Sequence, residues 1–284
     1  MGLNFQTDTK QKIGDRDDIK RMDFYEIGKK HGYSEEKLKG LMNFREVKDE
    51  DFDNLKRFQK GYDFLLEHLL FIDEAIVIYD KDFDGLTSGD NCAGMLKAMN
   101  IRVKPEYNHK KEHGLRSGLQ NKLKEMEEEF IIITDSGTND IKQIKELIDL
   151  GKKVLIIDHH PIESEENKKS LRKLEKTGNF YIINTNELNH PEYDMSKMSA
   201  GMLTYLFSSY VARQHGVGYR PNFDLSAASL VADYCSMSNK LNRDLLHKFY
   251  SKERFCDLIL ESSYMEVNRN SIVFGLAPII NNYI

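Results

Sequence analysis

The chain has 284 residues, 40% apolar and 31% charged, so it can bury a sizeable core and still present a well-hydrated surface. With a mean hydropathy of −0.57 and no apolar run of bilayer length, the sequence predicts no membrane span. A formal charge of −5 and a pI near 6.0 argue against a protein that coats nucleic acid by bulk charge, but not against a carboxylate-rich metal site, where bound cations reverse the local sign.

Residues 1–50 read as a polar extension. Positions 1–22 are mixed in charge, and two short helices over 23–31 and 34–43 are broken at Gly32, with Ser34 as N-cap and acids in the first turn. Such helix pairs are packing or docking units more often than readers of DNA. The N-terminus lacks the basic-then-apolar pattern of a secretory signal. The cysteines (Cys92, Cys235 and Cys256) are too few and too scattered for a disulfide framework or a zinc pair. A cytoplasmic location is therefore expected.

From residue 51 the apolar positions Phe52, Leu55, Phe58, Tyr62, Leu65, Leu66 and Leu69 recur at helical spacing. A strand at 75–79, a helix at 86–99 and a strand at 101–107 follow. A loop carrying Glu112 and His113 then leads to a charged helix ending near 128. After the strand 130–134, Asn139 and Asp140 are placed to cap a helix that Gly151 closes. The strand 153–157 comes next. Residues 163–177 are dense in charge and read as a solvated helix rather than a binding surface. A strand over 181–183, a polar loop over 184–195 and three helices (199–211, 225–235 and from 242) complete the chain. This alternation predicts an α/β fold, a parallel β-sheet of about five strands flanked by helices, with a helical N-terminal extension and a helical C-terminal subregion.

Three of the strands run straight into chemistry. The first is followed by Asp80, Asp82 and Asp84, the third by Asp135, and the fourth by Asp158, His159 and His160. In an open parallel sheet these ends share one edge, where ligands bind. Alternation at a strand end would put Asp80, Asp82 and Asp84 on one side, and carboxylates so close repel unless cations lie between them. An EF-hand calcium loop is excluded, since it needs an entering helix and a Glu at its twelfth position. The adjacent histidines point opposite ways on extended backbone, so one is free to ligate while the other faces either a substrate or the groups behind the ligands. Carboxylates with imidazole suit Mn²⁺ or Mg²⁺, and paired ions suit phosphoryl hydrolysis.

Taken together, these segments resemble the DHH phosphoesterase superfamily, specifically its RecJ-like branch of single-strand-specific 5′→3′ exonucleases. The four motifs correspond to Ile78–Ser88, Ile133–Gly137, Asp158-His159-His160 and Val231-Ala232-Asp233. Met198–Met202 and Phe274–Asn281 are similar to connecting segments of that family, and the resemblance spans about residues 50–284. It implies two divalent ions, Mn²⁺ or Mg²⁺. Asp80 and Asp82 would hold one, Asp84, His159 and Asp233 the other, and Asp135 would bridge them. His160 would contact the scissile phosphate, and Asp158 would ligate or orient the histidines. Glu112, His113 and Asn281 fall at positions implied to face substrate. The expected partner is single-stranded DNA or an oligonucleotide.

There are departures from the pattern. His113 replaces a Gly, Ile279 replaces an Arg, and the sequence stops at Ile284, where RecJ-like chains continue into a second domain that grips nucleic acid. Residues 51–284 are thus expected to be the catalytic domain without its C-terminal associate, which a continuation or a second polypeptide would supply. Two other readings are a phosphodiesterase of short oligonucleotides or cyclic dinucleotides, and a non-catalytic scaffold.

Overall fold

The computed structural model describes residues 34–69, 72–107 and 114–250, together with Lys29 and Gly32. The expectations for 1–22, most of 23–31, Glu112, His113, Asn281 and everything after Tyr250 lie outside the described residues. The chain divides into two compact units, Met1–Arg45 and Glu46–Ile284. In the first, helix α1 (Glu35–Met42) begins as expected, with the Ser34 hydroxyl accepting from the Lys37 N–H at 3.2 Å.

The second unit holds a five-stranded parallel sheet in the order β2-β1-β3-β4-β5. The strands are β1 (Glu74–Ile78), β2 (Arg102–Glu106), β3 (Phe130–Thr134), β4 (Lys153–Asp158) and β5 (Phe180–Asn184). Pro105 lies on the edge strand β2, where a missing N–H costs no ladder bond. The central strands are runs of Ile, Val and Leu because both faces are covered. Ile76, Ile78, Ile131, Ile133, Val154 and Ile156 face one core, which is covered by Leu119, Leu123, Ile144, Leu147, Leu171 and Leu174. Those residues come from α4 (Ser117–Glu125), α5 (Ile141–Asp149) and α6 (Glu165–Glu175). Val77, Ile132, Leu155, Ile157 and Ile183 face the other core. It is covered by α2 (Lys56–Leu69), α3 (Phe83–Ala98), α7 (Ala200–His215), α8 (Phe223–Ala232) and α9 (Lys240–Tyr250). Each side chain of this size, fully buried, contributes roughly 1.5–3 kcal/mol. Helix α7 is buried around its whole circumference from Ala200 to Ala212, which its apolar and small residues permit.

Several boundaries differ from the sequence expectation, each for a local reason. The helix expected from residue 51 starts at Lys56, because Asp49–Phe52 forms a separate 3-10 turn. The helix expected from 86 starts at Phe83, because the Asp82 carboxylate caps it by accepting from the Gly85 N–H at 2.9 Å. Asp140 stands at the N-cap position of α5 but does not cap it. Its carboxylate accepts instead from the Leu115 N–H at 2.7 Å and so anchors the start of the segment leading to α4. Gly151 closes the turn after α5 at φ +84, as expected.

Candidate metal centre

The acids gather at the C-terminal edge of the sheet, but not by strand alternation. Strand β1 ends at Ile78, and the chain then turns sharply into α3. Asp80 is buried in that turn, Asp82 is the N-cap, and Asp84 lies in the first turn of the helix. Three carboxylates thus reach one region through a turn and a helix start. Gly85 makes the turn possible, since a Cβ there would lie 2.3 Å from the Asp80 carbonyl oxygen.

Asp84 is 4% exposed and is held by a second element. Its two carboxylate oxygens accept from the Ala200 and Gly201 N–H groups, each at 2.8 Å, at the N-terminus of α7. That helix end carries unsatisfied donors and positive potential, so it suits a carboxylate. Gly201 allows the close approach: a Cβ there would lie 2.9 Å from Asp84 Oδ1 and 2.7 Å from Ser229 Oγ. Burial still dominates and, with the neighbouring charge of Asp233, lifts the Asp84 carboxyl to about 6, against the opposing pull of His159 and the two N–H groups.

Asp135 follows β3 in a left-handed conformation, φ +61, with its N–H donating to the Ile157 carbonyl at 3.0 Å. Burial, then the charges of Asp84, Asp82, Asp158 and Asp80, push its carboxyl well above the usual range. It therefore lies within the field of four other carboxylates, at the electrostatic middle of the cluster. His159 Nε2 is 3.2 Å from Asp135 Oδ1 and 3.9 Å from Asp84 Oδ2, and its Nδ1 is 3.7 Å from Asp233 Oδ2. Asp233 is the C-cap of α8, and its side chain is about a third exposed. Asp84, His159 and Asp233 each offer a ligand atom within 4.8 Å of the others, as do Asp135, Asp158, His159 and His160. Carboxylates and imidazole at this spacing can hold divalent cations.

The two histidines diverge. The His159 ring enters the carboxylate cluster, whereas His160 is half exposed and turns its Nδ1 to Asp158 Oδ1 at 2.8 Å. Asp158 is fully buried and committed within its own surroundings. Oδ1 also accepts from the His159 and His160 N–H groups, and Oδ2 from the Thr138 N–H. Burial alone would raise Asp158, but the His160 hydrogen bond and the other donors hold it at about 2. The same hydrogen bond raises His160 to about 9, against the cost of its partial burial. These contacts orient the histidine pair.

Sequence reasoning missed a ring of uncharged residues that fixes this geometry. At the end of β5, Asn184 donates to Thr138 Oγ1 and to the His160 carbonyl, each at 2.9 Å. Thr185 Oγ1 donates to the His159 carbonyl at 3.3 Å, and Asn186 reaches both histidine carbonyls. Buried Asn91 on α3 donates to Ser226 Oγ and the Gly201 carbonyl, and accepts from the Asn222 N–H. It thereby ties the helix of Asp84 to those of Gly201 and Asp233. The signal available was position: Asn184-Thr185-Asn186 ends a fourth core strand at the edge where the acids already converged.

The chain matches the model of the DHH family, N-terminal domain, over residues 74–232. Among solved structures, an exonuclease RecJ bound to manganese superposes with a TM-score of 0.63 at 20% identity, over 80% of this chain and 57% of that one. RecJ from Thermus thermophilus in complex with Mn²⁺ gives 0.60 at 19% identity, over 79% of this chain and 32% of that one. A DHH domain described as a member of the s1p family of ribosomal proteins gives 0.51 at 16% identity, over 91% and 68%. No curated protein matches the sequence. The chain spans about half and about a third of the two RecJ chains, and identities this low show a shared fold. The family model covers more than half of the chain and runs from β1 through α8, taking in every acid and histidine of the cluster except Asp233, which follows it directly, and on that ground the chain belongs to the DHH family.

Proposed function

We propose that the protein is a metal-dependent phosphodiesterase that shortens single-stranded DNA in the 5′→3′ direction. The observation that carries the reading is the convergence of Asp84, Asp135, His159 and Asp233, with Asp80 and Asp82 alongside, at one sheet edge. A buried cluster of carboxylates with raised proton affinity is short of positive charge, and two divalent ions, Mn²⁺ or Mg²⁺, fit that need. Asp80 and Asp82 would hold one ion, Asp84, His159 and Asp233 the second, with Asp135 shared. Such ions supply Lewis acidity and a coordinated water of lowered pKa.

The protein's own groups do the rest. Asp84 is held rigid by α7, so its oxygens are placed before metal arrives. Asp158 engages Nδ1 of His160, which leaves Nε2 of this half-exposed ring available to a phosphate oxygen. Water adds to phosphorus and the strand's sugar oxygen leaves as an alcohol. The choice of single-stranded DNA follows from the resemblance of the four sequence motifs to RecJ-like exonucleases, and the fold shared with an exonuclease RecJ bound to manganese is consistent with it.

The test is release of nucleotides from labelled single strands in Mn²⁺, with Asp135→Ala beside the parent. Release by the parent and a loss of at least about a hundredfold in the variant is the expected result. Release that survives Asp135→Ala would sink the site, and equal rates on dinucleotides and long strands would sink the substrate.

A further inference from the structure

The charged helix over 165–175, expected to be merely solvated, does not stand alone. Its Lys168 and the C-cap Lys176 join Lys56 and Lys60 of α2 at the open edge of β5, and together they line a groove of about 770 Å³. The groove is lined by six cations against two carboxylates, in a chain of net charge −5. Its floor is an ion-pair clasp. Arg57 binds Glu175 and Glu187, its Nη1 lying 3.5 Å from the edge carbonyl of Ile182, and Arg172 binds the same two glutamates. The clasp covers the unpaired edge of β5, as an exposed strand edge requires. It also cancels both arginines and leaves the lysines in excess. Lys56, Lys60 and Lys176 are exposed and have no carboxylate partner among the described residues, and Lys168 reaches Glu165 only at 4.0 Å.

The groove adjoins the segment that carries the two histidines. Asn186, which lines it, donates to the backbone carbonyls of His159 and His160. Uncompensated lysines in a groove that adjoins the histidine segment match the repeating charge of a polyphosphate backbone. We propose that the groove between α2 and α6 binds the phosphates of a nucleic-acid strand whose end lies at the metal centre. The inference deepens the phosphodiesterase reading and rests on it for the strand's direction. It makes strand length count: a dinucleotide occupies the centre alone, and a longer strand also occupies the groove.

The experiment uses the full chain and the triple variant Lys60→Gln, Lys168→Gln, Lys176→Gln, with Lys142→Gln on another helix as control. None of these residues belongs to the metal centre. Binding of a fluorescent oligothymidylate is read by anisotropy in a salt series without divalent metal, and hydrolysis of a dinucleotide is followed separately in Mn²⁺. The triple variant should bind at least about tenfold more weakly, with the slope of log affinity against log salt shallower by about 2, since each phosphate contact contributes about 0.7. Its dinucleotide hydrolysis should equal the parent's. Unchanged affinity and slope in the triple variant, an equal loss in Lys142→Gln, or no binding by the parent would each overturn the groove. Lysine-dependent binding with no hydrolysis of any diester supports the groove and counts against the reaction.

Discussion

At the scale of single residues, two costly backbone conformations stand in or beside the centre. Asp135 adopts φ +61 and Tyr234 φ +53, both outside the region ordinary side chains prefer. For Asp135 the short carboxylate tolerates the left-handed region, and the conformation follows from its place between β3 and the following turn. Tyr234 is different. It stands just past the C-cap of α8, a position that favours glycine, yet its ring is 65% exposed and has little burial to offset the strain. Tyr234→Gly should therefore raise stability by about 1 kcal/mol in chemical denaturation, and a drop of similar size would show that the ring contributes contacts that outweigh the backbone cost. The sequence made the charged members of the site legible because acids after apolar runs are conspicuous. It did not reveal Asn184 or Asn186, whose amides act on backbone carbonyls and leave no pattern of charge or spacing. Nor did it reveal that Asp82 spends one oxygen as a helix cap, since the acidic spacing fits an extended strand end equally well.

At the scale of elements, the strands are legible in the sequence nearly to the residue, because continuous Ile and Val runs bounded by turn residues have few alternatives. Helix starts were less legible, as α2 and α3 show, because they depend on which side chain caps them. The least legible relation was between helices. Asp84 on α3 is positioned by the N-terminus of α7, more than a hundred residues later, and α7 is locked to α8 by Ser199 Oγ and Ser229 Oγ at 2.7 Å. Gly201 is the point where the three meet. In Gly201→Ala the new methyl would collide with both Asp84 Oδ1 and Ser229 Oγ, and neither can withdraw without giving up a hydrogen bond. The expected cost is about 1–3 kcal/mol of stability, with weaker Mn²⁺ binding by calorimetry. Full stability and unchanged Mn²⁺ affinity would mean that α7 does not position Asp84.

At the scale of the whole molecule, the strand order explains why the cluster lies where it does. From β1 the chain passes to β2 on one side and then returns to β3 on the other, so the crevice between β1 and β3 is the topological switch point of the sheet. Asp80, Asp82 and Asp84 follow β1 and Asp135 follows β3, which brings the acids to that crevice. His159 comes from the neighbouring β4, and Asp233 from α8. Residues from 80 to 233 thus meet in one small volume whose like charges oppose the fold when no cation is present. Two effects follow for thermal unfolding near neutral pH. Saturating Mn²⁺ should stabilise the parent, by about 2.7 kcal/mol at a hundred times the dissociation constant. Asp135→Asn should raise the metal-free Tm, because it removes a buried carboxyl whose ionisation burial and the neighbouring acids oppose and asparagine accepts the left-handed backbone, and the same change should abolish most of the Mn²⁺ increment. A lower metal-free Tm in Asp135→Asn, or an undiminished response to Mn²⁺, would show that the carboxylates are balanced by something other than metal and that the cluster is structural.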